Sequence, residues 1–196
     1  MTGTAAWWRV FPWDPGAPDG EPYSVRYTPP GAQTGGRFDL GRPAVAYLGS
    51  RPEHAVAEVM QEYRGKPLRD GHLLKPALGR PGTYVRRALV EARFPPELEE
   101  RILELDDGAA LDGIGHRPGD LASHVRQRSR PVARRVYDDA TGYAGFRWWS
   151  ALTGEWNTLI LFVDRVDAAR IGYGEPQPLH PGHPQVREAA RFPRMP

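Results

Sequence analysis

The sequence predicts a single compact α/β domain, with a small central mixed sheet and short flanking helices. Its 196 residues are 40% hydrophobic and 26% charged, which is ordinary for a globular domain with one core. The 22 glycines and 21 prolines require many loops and short regular elements. Short apolar runs typical of strands are interspersed with short helical patterns. We expect the domain to span residues 1–172, followed by an irregular C-terminal extension over residues 173–196.

The N-terminal part is predicted to contain a long ordered loop. Residues 12–36 are rich in proline, glycine and aspartate, which disfavour both helices and long strands. Aromatic side chains in and before this segment carry too much apolar surface to remain in water, so we expect the loop to pack. These aromatic residues are Trp7, Trp8, Phe11, Trp13, Tyr23 and Tyr27.

A strand that leads into a helix follows the loop. Residues 44–48 form a short β-type run, and the next residues predict a helix start, with Ser50 as N-cap, Pro52 in the first turn and Glu53 completing a capping box. On this helix Glu58 lies about 130° from the centre of the apolar stripe, at 100° per residue. Glu58 is therefore not expected in the core.

Two strands are predicted in the middle of the chain. Residues 83–94 alternate between apolar and polar side chains, which indicates a half-exposed strand. Residues 101–105 form a shorter strand, and residues 106–108 are expected to turn the chain.

Two short helices and two further strands complete the prediction. The helices cover residues 120–127 and 131–139, the second one capped by Ser129 or Arg130 and begun by Pro131. The strands cover residues 146–150 and 158–163 and are joined by a turn at Thr153-Gly154, and the second is apolar enough to be central in the sheet.

Several function classes are excluded by missing residues or motifs. With no cysteine, the chain cannot hold a disulfide framework, a thiolate nucleophile, an iron–sulfur cluster or a cysteine-ligated zinc ion. The phosphate-binding loop of nucleotide kinases, the glycine fingerprint of Rossmann dehydrogenases and the zincin motif are all absent. No leader peptide and no apolar run of membrane-spanning length is found, so we expect a cytoplasmic protein without membrane contact.

Charge and histidine content leave two alternatives open. The net charge is only +2 and the pI is about 9.0. A basic cluster favours a nucleic-acid-binding module or ribonuclease as an alternative function, although two solvated helix faces explain it better. This cluster comprises Arg126, Arg128, Arg130, Arg134 and Arg135, flanked by Tyr137. His180 and His183 have metal-ligand spacing, but no third ligand is placed near them, so no metal is expected.

The candidate functional residues are polar residues at the ends of predicted strands. Gly35 and Gly36 would let the backbone approach a ligand closely, while the guanidinium of Arg37 binds a phosphate with two hydrogen bonds. Each residue also has an ordinary structural explanation. Arg37 would form a surface ion pair with Asp39 or a glutamate, Tyr47 would lie in the core, Glu58 would lie on a solvated helix face, and Ser150 would lie in a turn.

Taken together, their order and spacing resemble the RES domain, a family named for its arginine, glutamate and serine. Gly35-Gly36-Arg37-Phe38 is followed ten residues later by Tyr47, eleven residues further by Glu58, and late in the chain by Gly145-Phe-Arg-Trp-Trp-Ser150. The similarity extends from Trp8-Arg9-Val10 to residues 159–162.

The resemblance implies an α/β fold similar to ADP-ribosyltransferase toxins and a site for NAD+ as substrate, with no metal. Family members hydrolyse or phosphorolyse the nicotinamide–ribose bond of NAD+, or transfer ADP-ribose to a protein, and an Xre-type antitoxin is their usual partner. The implied catalytic residues are Arg37, Glu58 and Ser150. The implied NAD+-binding residues are Arg9, Arg37, Tyr47, Arg147 and Ser150, with Arg26 as the competitor of Arg9. A homodimer is left open.

This sequence departs from the family pattern in three places. Phe38-Asp39 replaces the usual tryptophan-asparagine, and Trp148-Trp149 replaces the usual tyrosine-proline before the serine. The Pro/Gly loop is also long. The first two changes place a carboxylate and extra bulk near the expected NAD+ site, so the resemblance leaves hydrolysis, phosphorolysis and protein ADP-ribosylation open.

Overall fold

A computed structural model describes residues 6–29, 35–123 and 125–192. The chain divides into two compact units. Of the described residues, unit 1 comprises 28–29, 35–47, 94–123 and 125–171, and unit 2 comprises 6–27, 48–93 and 172–192. The division falls inside one strand, between Tyr47 and Leu48.

The regular elements are short, as the glycine and proline content requires. The strands are β1 Ala6–Pro12, β2 Val45–Gly49, β3 Leu74–Pro76, β4 Tyr84–Arg93, β5 Ile102–Glu104, β6 Gly145–Trp149, β7 Asn157–Phe162, β8 Gly172–Tyr173 and β9 Gln177–Pro178. The α-helices are α1 Pro52–Met60, α2 Pro96–Glu99, α3 Gly108–Gly113, α4 Pro118–Ala122, α5 Arg126–Tyr137 and α6 Pro184–Ala189. Short 3-10 turns lie at Gln61–Tyr63, Asp70–Leu73, Val163–Arg165 and Ala168–Arg170.

The sheet of unit 1 is mixed, with strand order β2-β7-β6-β5. Strands β6 and β7 form an antiparallel hairpin with Phe146 opposite Ile160, whereas β5 runs parallel to β6. Five of the six residues of β7 are buried, which fits its predicted central position. Helix α5 packs its buried face, including Val132 and Val136, onto this core.

The sheet of unit 2 is antiparallel and built around β4. This strand pairs with β1 along its length, with Ala6 opposite Arg93 and Pro12 opposite Arg87, and also with β3, β8 and β9. Helix α1 packs on β1 and β4, and α6 packs on α1. Because strands and a helix surround it, β4 buries side chains of both parities, including Leu89 and Val90. The expectation of a half-exposed strand was wrong for this reason.

The predicted α/β class, with a mixed sheet and short helices, is confirmed, and so are strands close to the predicted positions of β2, β4, β5, β6 and β7. The helix ends differ from the prediction. Arg51, not Ser50, is the N-cap of α1. Pro131 lies inside α5, which begins five residues earlier at Arg126. Asp107, placed in a turn by the sequence, instead caps α3 by accepting a hydrogen bond from Ala109 N.

The long loop packs as expected where it is described. Trp13 and Val25 pack against the cluster that contains Phe11. Residues 30–34 of the predicted loop lie outside the described residues. The segment after residue 172, expected to be irregular, pairs with β4 and buries Leu179 and Val186. Its two strands are two residues long, too short to produce a detectable period.

Candidate functional site

The turn at residues 35–39 in unit 1 is organised around the hydroxyl group of Tyr47. Gly36 N donates a hydrogen bond to Asp39 Oδ2 (2.5 Å), and Phe38 N donates to Tyr47 Oη (3.0 Å). Tyr47 Oη in turn donates to Asp39 Oδ1 (2.7 Å). The side chain of Asp39 is 5% exposed, so this network is shielded from water. Two of these hydrogen bonds join the turn to strand β2 through Tyr47, and the third closes the turn itself.

Gly36 is required by the closeness of this packing. A Cβ atom at this position would lie 2.7 Å from Tyr47 Cζ and nearer still to Tyr47 Oη and Asp39 Oδ1. At Gly35, in contrast, such a Cβ would meet no atom within 4 Å among the described residues, its chain neighbours aside. The first glycine of the motif is therefore open to substitution, and the second is not.

The guanidinium of Arg37 rests on two aromatic rings. Its Cζ lies 4.8 Å from the centre of the Trp148 ring and 5.3 Å from that of Phe38, and its Nη2 donates to the carbonyl of Leu121 at the end of α4. The backbone of Arg37 is held as well, because the buried hydroxyl of Ser129 donates to its carbonyl (2.6 Å). An aromatic ring attracts a guanidinium that stacks on its face, by a cation–π interaction. The N–H donors at the edge of the guanidinium are the groups that bind anions.

Tyr47 is protonated in this setting. Burial, followed by the negative charge of Asp39 and the hydrogen bond to it, raises the pKa of the Tyr47 phenol well above its usual value. Its proton points at Asp39, and its oxygen accepts from Phe38 N. The Tyr47 hydroxyl therefore both donates and accepts hydrogen bonds within the protein.

The late motif places Arg147 and Ser150 differently. Arg147 forms an ion pair with Glu104, its partner in the β5–β6 register, and strand alternation puts it on the opposite face of β6 from Trp148. Ser150 is 2% exposed and begins the β6–β7 connection, with its N donating to Trp156 O (2.6 Å) and its Oγ accepting from Leu152 N (3.1 Å). Because Arg37 lies over Trp148, Arg37 and Arg147 are on opposite faces of β6.

Glu58 in unit 2 is a partly exposed carboxylate held at both oxygens. His54 Nε2 lies 3.3 Å from Glu58 Oε1, and Gln61 Nε2 donates to Glu58 Oε2 (2.6 Å). The Glu58 side chain is 35% exposed and His54 is fully buried. Glu58 is outside the core, as its angle on the helix predicted. His54 and Gln61 were missed as functional candidates, although their i−4 and i+3 spacing from Glu58 was a usable signal.

Arg9 in unit 2 anchors the long loop. It is 9% exposed and donates to the carbonyls of Val25 (3.3 Å) and Tyr27 (2.7 Å). Burial lowers the pKa of its guanidinium, which nevertheless stays charged. Arg26 is more exposed, forms an ion pair with Asp19 (3.0 Å) and lies over the ring of Tyr173.

The other candidate sites have ordinary structural roles where they are described. His183 Nδ1 caps α6 by accepting from Gln185 N (3.2 Å). Among residues 6–29, 35–123 and 125–192, no group of three metal-ligating side chains occurs. In the basic cluster, Arg134 lies 3.8 Å from Asp138 and donates to two backbone carbonyls. Within the part of the chain that is described, no helix has the length and apolarity needed to cross a membrane.

Comparisons with known proteins agree with this fold. The family model described as "RES domain" matches residues 6–180. A chain in the crystal structure of the M. tuberculosis MbcT–MbcA toxin–antitoxin complex superimposes with a TM-score of 0.61 at 12% sequence identity, covering 98% of this chain and 90% of that one. No curated protein matches significantly in sequence. At this identity the structural match establishes the likeness of the fold.

Proposed function

The chain belongs to the RES domain family, and on that premise we propose that it is an NAD+-consuming enzyme that cleaves the nicotinamide–ribose bond and acts as the toxin of a toxin–antitoxin pair. The observation that carries the proposal is the partly exposed Glu58 carboxylate, held at both oxygens by His54 and Gln61. An acidic side chain fixed in this way but still accessible to solvent is suited to chemistry rather than to packing.

The chemistry requires such a carboxylate. When the bond between nicotinamide and ribose breaks, its electron pair leaves with the nicotinamide and positive charge develops on the ribose ring. A fixed carboxylate stabilises this charge and binds the ribose hydroxyls more tightly in the transition state than in the ground state. We assign this role to Glu58. Water or phosphate then attacks the sugar carbon, giving ADP-ribose or its 1-phosphate.

Arg37 is assigned to the diphosphate of NAD+. Its guanidinium lies over Trp148 and Phe38 and donates through Nη2 to the carbonyl of Leu121, and its planar charge suits the diphosphate oxygens. Binding the non-reacting half of NAD+ orients the reacting bond. The face of the Tyr47 ring would attract the cationic nicotinamide ring by about 0.5–2 kcal/mol.

The other residues that the sequence predicted for the NAD+ site are Ser150, Arg9 and Arg147. Ser150 is assigned to a hydrogen bond with the ribose or a phosphate, and not to nucleophilic attack. Arg9 fits an indirect role, because its donors hold the loop carbonyls of Val25 and Tyr27. Arg147, paired with Glu104, is the weakest NAD+-binding candidate.

A protein antitoxin is the proposed partner. Support comes from the family and from the fold likeness to a chain of a toxin–antitoxin complex. With a net charge of only +2, the protein would exert little long-range attraction on an acidic antitoxin. We therefore propose that the antitoxin inhibits by blocking the NAD+ site, in the cytoplasm, where the substrate is consumed.

Loss of NAD+ and release of nicotinamide, with and without phosphate, test the enzyme directly. For Glu58→Gln we expect kcat to fall about 100-fold or more with little change in KM, because the carboxylate acts mainly in the transition state. Glu62→Gln, in the turn after α1, is the matched control and should retain activity. Phosphate dependence identifies phosphorolysis, and consumption only with an added protein acceptor identifies ADP-ribosylation. A fully active Glu58→Gln variant would refute the assignment.

A further inference from the structure

The hydrogen bonds of Asp39 and Tyr47 converge on the backbone on both sides of Arg37. Asp39 accepts from both Gly36 N and Tyr47 Oη, and Tyr47 Oη accepts from Phe38 N. The two amides that receive this support flank Arg37 in the sequence. The network therefore fixes the backbone immediately before and after the arginine.

We propose that Asp39 and Tyr47 form a positioning pair that presents Arg37 to the diphosphate of NAD+, and that the Tyr47 hydroxyl contacts no substrate. This inference rests on the proposed function and assigns to each side chain a role that acts through Arg37. The Tyr47 ring packs against the buried cluster of unit 1, and its hydroxyl is committed to the turn.

The carboxylate at position 39 suits this role better than the amide that the family resemblance leads one to expect. Two donors, Gly36 N–H and Tyr47 O–H, point at the two oxygens of Asp39. A carboxylate accepts both, because it has only acceptor sites. An asparagine has one acceptor oxygen and an NH2 group, so one of the two donors would face a further donor.

Kinetics separate a positioning role from a catalytic one. If Arg37 binds the diphosphate equally in the ground and transition states, its displacement raises KM and leaves kcat nearly unchanged. We expect Asp39→Asn and Tyr47→Phe each to raise KM for NAD+ and Kd for ADP-ribose roughly 10- to 100-fold, because a shift of about 1 Å in an anchoring group has effects of this size. Combining either change with Arg37→Ala should add little to the effect of Arg37→Ala alone.

Unit 1 offers a closely matched control. Tyr137 Oη donates to Asp164 Oδ2 over 2.7 Å, the same bond type and length as between Tyr47 and Asp39. Tyr137→Phe removes a tyrosine–aspartate hydrogen bond at an exposed position and should leave KM and Kd unchanged. If both variants alter KM equally, the effect is one of general stability and the inference is wrong.

Amide hydrogen exchange provides a readout that is independent of activity. Asp39→Asn should remove protection at Gly36, and Tyr47→Phe should remove it at Phe38. Lost protection with unchanged ADP-ribose affinity would refute the link to Arg37, and retained protection would refute the pair itself. A wild type that neither consumes NAD+ nor binds ADP-ribose overturns the proposed function. If the wild type consumes NAD+ and binds ADP-ribose, and the Asp39 and Tyr47 variants do so with the same KM and Kd, the positioning role is wrong while the proposed function stands.

Discussion

Replacing Gly36 by alanine tests the close packing of the Arg37 turn. The new Cβ would lie 2.7 Å from Tyr47 Cζ, and nearer to Tyr47 Oη and Asp39 Oδ1, well inside normal carbon contact distances. Neither side chain can swing away freely, because Asp39 is buried and both are tied into the same hydrogen-bond network. The collision must therefore displace the turn or break the network.

The cost follows from these two effects. Overpacking a well-packed site costs about 1–3 kcal/mol. Loss of the hydrogen bonds that link Tyr47, Asp39 and Gly36 adds about 1 kcal/mol for each bond. With the two bonds between these residues, we expect Gly36→Ala to lower the free energy of unfolding by about 3–5 kcal/mol, which for a chain of this size is a fall in Tm of roughly 6–20 °C.

Thermal and urea unfolding of Gly36→Ala and Gly35→Ala, followed by circular dichroism, measure the difference. A methyl carbon added at Gly35 would meet none of the described residues within 4 Å beyond its chain neighbours, so Gly35→Ala should stay within about 0.5 kcal/mol of the wild type. The two variants add the same methyl group to adjacent residues. If their unfolding midpoints coincide, the packing of Tyr47 and Asp39 against Gly36 is not as described.

Two further predictions concern stability. A Cβ on Gly145 would lie 3.1 Å from the backbone carbon of Ile160 and closer to its oxygen, so Gly145→Ala should prevent pairing of β6 with β7 and abolish soluble expression. The control Gly154→Ala, whose Cβ would meet no described residue within 4 Å, should express normally. Arg86 donates to both carboxylate oxygens of Asp70 (2.7 and 2.8 Å), and this hydrogen bonding holds the pKa of Asp70 below its usual value. The pair's contribution to stability is therefore present above about pH 4 and is lost as pH falls through the lowered pKa. Asp70→Asn should flatten the acid side of the stability profile measured by urea unfolding, and an unchanged profile would contradict the assignment.

Hydrophobic periodicity located most strands of the sheet, but polar residues on buried faces concealed other elements. In β1 the buried positions are Trp7, Arg9 and Phe11, so the arginine breaks the alternation that signals a strand. In α5 the buried Ser129 occupies a position of the inner face, and Pro131 resembles a helix start although it lies in the helix interior. Both polar side chains bind partners that are distant in sequence, the carbonyls of Val25 and Tyr27 for Arg9 and that of Arg37 for Ser129. A local pattern contains no information about such partners.

The same limit applies to the candidate site. Motif order made Arg37, Tyr47 and Glu58 candidates, because their spacing resembles that of the RES domain, whose family model matches the chain. The ordinary reading of Asp39 was a surface ion pair with Arg37, yet Asp39 is buried and accepts from Tyr47. The two side chains meet only because β2 brings Tyr47 back to the turn eight residues earlier, which depends on the fold.

The two departures from the family pattern meet in space beneath Arg37. Phe38 and Trp148 pack edge to face, with ring centres 5.7 Å apart, and the Arg37 guanidinium lies over both. Exchanging the rings by Phe38→Trp and Trp148→Phe conserves total volume, whereas the first change alone overpacks the site and the second alone leaves a cavity. The Trp148 Nε1 atom is buried without an acceptor among the described residues, so its removal breaks no hydrogen bond there.

We therefore expect the double exchange to be less destabilising than the sum of the single changes, with a coupling of about 1–2 kcal/mol in a urea-unfolding cycle. Strict additivity, within about 0.5 kcal/mol, would mean that the rings do not share one packing site. Coupling would mean that a smaller residue at position 38 and a larger one at position 148 compensate for each other in supporting Arg37. The departures would then preserve the arginine's position rather than alter the substrate.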